Sequence, residues 1–334
     1  MRLKPGKVGE NVLKRSVLQQ IKTKREEVLI GAGIGEDCAF FMLEEDEIFV
    51  TSMDPITITF SEIGKLSVLL SMNDIAASGA TPVGILATIL LPPKTTESKL
   101  KRIMEQMEEQ CKQLQIQLVG GHTESTEAVN QPIITITSIG KIKKDEMMQK
   151  PVTHGQDIVL SKWIGLEGTG IIAKEKEEEL SEKFPAYFVK EANSFLQYLS
   201  IVPEAAVARK SSISCMHDVA EGGIFGALWE LAEKAEVGLE IDLKKISIKQ
   251  ETVEICEFYE LNPYDLLSGG ALLMVTDYGH DLVKELEVEG IHSTVIGKIV
   301  EGNDRIIMNG DERRFLEPAK MDEIYKVMAH MDRF

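Results

Sequence analysis

Two long helical patterns are written into a first half that is otherwise strand-like, and helices and strands do not strictly alternate. The first helix opens on Ser61 as N-cap and sets Ile63, Leu66, Leu69, Leu70 and Ile75 on one face, which predicts burial of that face. It stops at Ser78-Gly79-Ala80-Thr81-Pro82. The second runs from Thr96 to Gln115, opened by Thr96 and Lys99. Strand patterns lie at 47–52, 83–91 and 132–141, the last one β-branched, and a shorter helical pattern covers 11–24. Helices set among non-alternating strands predict an α+β fold, a mixed sheet with helices on one face.

A chain of 334 residues is long enough for two cores. The polar segment 147–155, with Pro151 and Gly155, marks the boundary, giving domains of 1–150 and 151–334. The second half reads as strands at 157–161, 212–216, 238–242, 271–276 and 294–299. Helices are expected at 224–235 and 278–289, with a short one from Pro203 and a charged, solvated one over 175–183.

The formal net charge of −17, with no basic patch against it, argues against nucleic acid and anionic membranes as partners. An acidic chain still takes a nucleotide if magnesium compensates the charge. Cys38, Cys111, Cys215 and Cys256 are far apart and form no CxxC pair, which removes zinc and thioredoxin-type readings. Sparse cysteines suit a reducing cytosol. No apolar run approaches membrane-spanning length, and the first nine residues lack the apolar core of a signal peptide. The expectation is a cytoplasmic protein.

Within this frame, Gly31-Ala32-Gly33-Ile34-Gly35-Glu36-Asp37 is dense in glycine and runs into two carboxylates. Gly31, Gly33 and Gly35 let a backbone reach positive φ and come close to a phosphate. A carboxylate beyond such a loop meets phosphate through Mg²⁺. A tight turn before a hairpin is the other reading, and for the loop alone the favoured one. Asp54, Asp74 and the His122/Glu124 pair repeat this setting, each at a Gly- or Pro-rich bend. Converging carboxylates repel unless a cation sits among them, and oxygen ligands with few cysteines point to Mg²⁺ or Ca²⁺. His122 reads equally as a metal ligand or a core histidine.

In the second half, His217-Asp218-Val219-Ala220-Glu221-Gly222-Gly223 is the most informative cluster. Gly222 and Gly223 open a helix, where free amides could receive an anion, and His217 beside an acid could shuttle a proton. Asp218 as a plain N-cap is the alternative. Ser268-Gly269-Gly270 is a second small-residue loop, a turn or an anion cradle.

In this order the stretches Gly33-Ile34-Gly35-Glu36-Asp37-Cys38-Ala39, Ser52-Met53-Asp54, Asn73-Asp74-Ile75-Ala76-Ala77-Ser78-Gly79, Gly120-Gly121-His122-Thr123, His217 to Gly223 and Ser268-Gly269-Gly270 span nearly the whole chain. The chain resembles the PurM-type ATP-binding superfamily, and within it the AIR-synthase-related, HypE-like proteins. The resemblance implies a two-domain PurM-like fold whose N-terminal sheet pairs with that of a second subunit in a homodimer barrel, and a C-terminal α+β domain. It implies ATP with its phosphates held through Mg²⁺ on Asp37, Asp54 and Asp74, with His122 a further candidate ligand. Asn73, Thr123 and the glycines at 31, 33, 35, 120, 121, 222 and 223 would assist, and His217, Asp218 and Glu221 would serve the acceptor. The implied activity is ATP-dependent phosphoryl transfer to an oxygen. The alternative is a nucleotide-dependent assembly partner in hydrogenase or other metallocentre maturation, working with a partner protein and without turnover.

Departures are also visible. His122 stands where such proteins usually have Asp, and Glu124 where Lys is common. The acid often found near the 268–270 loop is missing, and the last cysteine is Cys256, with none in the final residues to carry a thiocarboxamide. The expectation is a retained ATP-binding frame with an acceptor that the sequence does not name.

Overall fold

The structure, a computed structural model, describes residues 2–3, 6–36, 38–59, 61–147, 150–318 and 320–328. It divides into two compact units, Met1–Ile75 with Ala80–Met147, and Ala76–Gly79 with Met148–Met331. The observed class is a two-domain α+β fold.

The first unit begins with β1 (Gly6–Lys7) and a short α1 (Glu10–Val12) that passes into a π turn over Leu13–Val17 and a 3₁₀ turn over Leu18–Gln20. The expected helix over 11–24 is therefore irregular and ends early. After it come β2 (Val28–Ile30), β3 (Phe40–Phe41), β4 (Glu47–Ile56), α2 (Ile63–Ala77), β5 (Thr81–Leu91), α3 (Glu97–Leu114), β6 (Gln117–Ser125) and β7 (Ile133–Lys143). Five strands pair in the order β1-β6-β5-β7-β4, and β5 and β6 run parallel through the crossover helix α3. The Thr96 hydroxyl accepts from the Lys99 amide at 3.3 Å, the cap that the sequence predicts.

Helices α2 and α3 cover one face of this sheet, where Met72, Ile75, Ile103 and Met107 pack on Ile85, Ile89, Ile134 and Ile136. The expectation of one buried face on α2 is too modest. Only Lys65, Leu70 and Asp74 of Ile63–Ala77 escape full burial, because the helix is covered on nearly all sides. On the opposite face the two-stranded β2–β3 hairpin packs Val28, Ala39 and Phe41 over Val83, Val119 and Ile139.

Two strands outrun the sequence reading. β4 continues past Asp54 and Pro55, with Asp54 opposite Ile136 and Pro55 opposite Thr135. It is the edge of its sheet, where proline's missing N–H costs no ladder bond. β6 runs straight through Gly120-Gly121-His122-Thr123, so that glycine pair is strand and not loop. Gly121 has φ +140°, and a Cβ there would lie 1.9 Å from the Ala87 carbonyl oxygen. Glycine is what lets β5 and β6 stay paired past that point.

The second unit is built on β8 (Asp157–Ser161), α4 (Leu166–Glu175), α5 (Glu177–Lys183), α6 (Ala186–Ser194), α7 (Val202–Ala208), β9 (Ile213–Val219), α8 (Gly223–Ala235), β10 (Gly238–Asp242), α9 (Gln250–Phe258), β11 (Ala271–Thr276), α10 (Gly279–Val288), β12 (Ser293–Val300), β13 (Arg305–Asn309), β14 (Glu312–Phe315) and α11 (Ile324–Met328). Its seven strands pair in the order β14-β13-β10-β12-β8-β11-β9. Alternation along β11 feeds two cores. Ala271, Leu273 and Val275 point to the side of α8, while Leu272 and Met274 point to that of α7 and α10. Among the described residues no helix is long and apolar enough to cross a membrane.

Candidate functional site

The glycine loop after Ile30 is the connection of the β2–β3 hairpin, so the hairpin-turn reading describes its backbone. Only Gly35 of its glycines uses positive φ, at +80°. Gly31 serves by close approach, since a Cβ there would lie 2.8 Å from the Gln117 side-chain nitrogen. The loop nevertheless does more than turn. Gly33, Gly35 and Glu36 line a cavity of about 330 Å³ together with Gly120, Gly121, His122 and Thr123. Its floor is apolar, with Ala87, Ile89, Met104 and Leu118 from the sheet and α3, and Leu13, Val17 and Ile21 from the irregular N-terminal segment. Lys7 and Glu10 add charge to the lining. Glycine walls give backbone access, and the apolar floor suits a flat, weakly polar group.

His122 is no core histidine. Its side chain is exposed, and Nε2 lies 3.0 Å from Glu124 Oε2. Asp54 is remote from it, since β7 and β5 both stand between β4 and β6. That spacing is on the order of 14 Å at the backbone, too far for both to ligate one ion. Asp54 Oδ2 and Ser52 Oγ, two residues apart on β4, are buried without a hydrogen-bond partner. An orphaned carboxylate oxygen beside an orphaned hydroxyl suits a hard cation, and on that ground Mg²⁺ fits at Asp54.

Asn73 and Asp74 lie near the end of α2, Asn73 buried and Asp74 partly so, and both are engaged in contacts. Asp37 lies outside the described residues. Among the described residues no group of three or more His, Cys, Asp or Glu stands together as a metal shell. The cavity thus collects Gly33, Gly35, Gly120, Gly121, His122 and Thr123, but not Asp54, Asn73 or Asp74.

In the second unit His217 and Asp218 belong to β9, opposite Leu273 and Leu272, so Asp218 is not an N-cap. The cap of α8 is Gly222, at φ +83°. His217 Nε2 lies 3.0 Å from Glu230 Oε2 on α8. Glu221 is exposed at the turn. The idea that Gly222 and Gly223 offer free amides does not survive. Gly222 N–H donates to Asp322 Oδ2 at 2.7 Å, and Gly223 N–H to the Ala220 carbonyl at 3.2 Å. In the neighbouring loop, Gly269 N–H donates to Glu167 Oε2 at 3.0 Å. Both glycine turns are already gripped by a carboxyl group of this protein, Asp322 at one and Glu167 at the other.

Glu167 and Asp322 are the residues that sequence reasoning passed over. Burial pushes the Glu167 carboxyl up to about 8, opposed by the Gly269 amide and reinforced by the charges of Asp322, Asp218 and Glu221. Burial also raises Asp322, to about 6, against amides of Ile324, Gly222 and Leu267 that favour its charged form. A signal existed for Glu167, which stands in the glycine-rich stretch 165–170. Asp322 had none.

The family description for the AIR synthase related protein, N-terminal domain, matches residues 35–142, and that for the C-terminal domain matches residues 153–309. The chain belongs to the AIR synthase-related family. A Methanocaldococcus jannaschii protein named for hydrogenase expression and formation is 26% identical over 274 residues, which cover 80% of this chain and 79% of that one. Carbamoyl dehydratase HypE of Rhodobacter capsulatus is 26% identical over 262 residues, 78% of this chain and 74% of its own. A crystal structure of the hydrogenase maturation protein HypE in complex with ATP superposes with a TM-score of 0.77 at 18% identity, covering 96% of this chain and 97% of that one. At that identity the superposition speaks for the fold. Both AIR synthase-related domains are present in sequence order, and the HypE-like resemblance agrees with them.

Proposed function

We propose that this AIR synthase-related chain is a magnesium-dependent ATP-binding enzyme that passes the terminal phosphoryl group of ATP to an oxygen of its acceptor. The observation that carries the reading is the cavity walled by Gly33, Gly35, Gly120 and Gly121 over an apolar floor. Its glycines let backbone approach a polyphosphate, Thr123 is a candidate to orient it, and Lys7 supplies positive charge near it. Asp54, with Asp37 and Asp74, would hold the metal, and His122 would stand at the cavity wall, oriented by Glu124. Magnesium, when bound, neutralises charge on the transferred group. In the transfer the bond from the terminal phosphorus to the ADP oxygen breaks and one to the acceptor oxygen forms. His217, Asp218 and Glu221 are proposed to serve the acceptor, with Gly222 and Gly223 shaping the turn that follows His217 and Asp218.

The proposed unit is a homodimer. Leu29, Ile30, Phe40, Met42, Phe49 and Met53 are exposed on the hairpin and the outer face of β4, a patch that a second sheet would cover.

The test is to titrate the purified protein with Mg-ATP by calorimetry and follow ADP, in wild type and Asp54→Asn. Binding with ADP release that Asp54→Asn abolishes supports the enzyme. ATP bound and never consumed supports the second reading, a nucleotide-dependent maturation partner, which the hydrogenase-named relative favours. No binding at all rejects both.

A further inference from the structure

The turn between β9 and α8, residues 220–222, is not held by its own strand and helix alone. Asp322, about a hundred residues later and 1% exposed, accepts from Gly222 N–H at 2.7 Å through Oδ2. Its Oδ1 accepts from Leu267 N–H at 3.2 Å and Ile324 N–H at 2.9 Å. One carboxylate thereby ties together the turn after β9, the loop before β11 and the start of α11. The residue beside it reinforces the tie. Glu323 donates its amide to the Asp265 carbonyl at 3.3 Å and accepts the Asn262 amide on its carboxylate at 3.1 Å. Gly222 adopts positive φ and is followed by Gly223 at φ +63°, so this turn has little intrinsic stiffness and takes its shape from what grips it.

We propose that Asp322 is a positioning residue for the acceptor side: by gripping the Gly222 amide it fixes the turn that follows Asp218 and carries Glu221. The inference rests on the role given to that turn above. It assigns Asp322 no contact with substrate. The C-terminal segment becomes a working part of the site, because it supplies in a side chain the anion that a flexible Gly-Gly turn needs in order to hold one conformation.

Asp322→Asn tests this with little disturbance elsewhere. Asparagine can keep its carbonyl oxygen at the Oδ1 position, serving Leu267 and Ile324, and it caps a helix as well as aspartate does. Its amino group then faces the Gly222 N–H, donor against donor, so the substitution removes the hydrogen bond to Gly222 and spares the other two. In the full chain we expect amide exchange at Gly222 and Gly223, followed by NMR, to quicken about tenfold or more. Exchange at Leu267, Ile324 and along β8 and β11 should stay as in wild type. We expect Kd for Mg-ATP within about twofold of wild type, KM for ATP unchanged and kcat for ADP formation lowered about tenfold or more, with Asp322→Glu recovering part of the loss.

Unchanged exchange at Gly222 in Asp322→Asn overturns the proposal, and so does raised exchange with kcat left intact. A wild-type protein that binds no Mg-ATP sinks the enzyme reading instead. The exchange measurement then decides by itself whether Asp322 fixes the turn.

Discussion

Lys162 Nζ lies 2.5 Å from Glu204 Oε1, with the Glu204 side chain wholly out of solvent. The same ammonium donates to the carbonyls of Tyr198 at 2.8 Å, Ser200 at 2.7 Å and Gly270 at 2.9 Å. Lys162 itself sits at φ +53°, a left-handed conformation that the surrounding contacts must maintain. The pair therefore pins the 268–270 loop from behind. Removing one partner strands a buried charge. Glu204→Leu alone should cost about 3–5 kcal/mol, and Lys162→Met with Glu204→Leu should recover a good part of it. Urea unfolding of the two single variants and the double variant checks this. Equal losses in all three would contradict the pairing.

Glu167 gives the second unit a pH signature. Its folded-state value, about 8, lies above the ordinary 4.5 because burial disfavours the carboxylate. The unfolded chain ionises first as pH rises, so stability is full below about 4.5 and declines up to about 8. Glu167→Gln mimics the neutral acid and can still accept from Gly269. Its unfolding midpoint should gain on wild type steadily between pH 5 and pH 8. A flat difference across that range would show that the carboxyl is not held neutral by its surroundings.

Asp54 should trade stability for binding. Oδ2 is buried without a hydrogen-bond partner, a place that a bound cation would fill. Asp54→Asn is expected to leave the thermal midpoint unchanged or higher in metal-free buffer, while weakening Mg-ATP binding about tenfold or more. A variant that loses stability and keeps its affinity would place Asp54 among structural residues.

The apolar outer face of β4 makes a prediction about assembly. Met53 is 64% exposed and Phe49 48%, and Phe49 meets Phe41 of the hairpin edge-on at 6.4 Å. Met53→Lys alters no buried packing of the single chain, so it should fold normally. It should nevertheless shift a dimer toward monomer in sedimentation velocity, by about tenfold or more in dissociation constant if the charge is buried at the interface. A wild-type chain that sediments as a monomer at tens of micromolar would remove the dimer from the proposal.

The local chemistry of the chain was legible to the degree that it is local. Thr96 caps its helix because the accepting hydroxyl and donating amide are three residues apart, whereas of the three loop glycines expected to reach positive φ only Gly35 does. The ordered motifs from Gly33 to Gly270 carried the family, since each is a short stretch whose residues are neighbours in the chain. Helix α2 was found by its period, but its burial on nearly all sides was not, because one helix cannot tell how many neighbours will cover it.

Other features belonged to the tertiary structure alone. Pro55 and Gly121 read as strand breakers, yet one lies on an edge and the other faces the Ala87 carbonyl, facts that only strand order and register supply. Residue types alone determined which groups could bind an anion or a metal, but folding decided whether those groups were still available. The Gly222 amide looked open and is filled by Asp322 from the far end of the chain, whereas the Asp54 carboxylate is left without a donor. The reason is physical: a hydrogen bond needs its partner within about 3 Å, and for groups a hundred residues apart that distance is set by the packing of the whole domain.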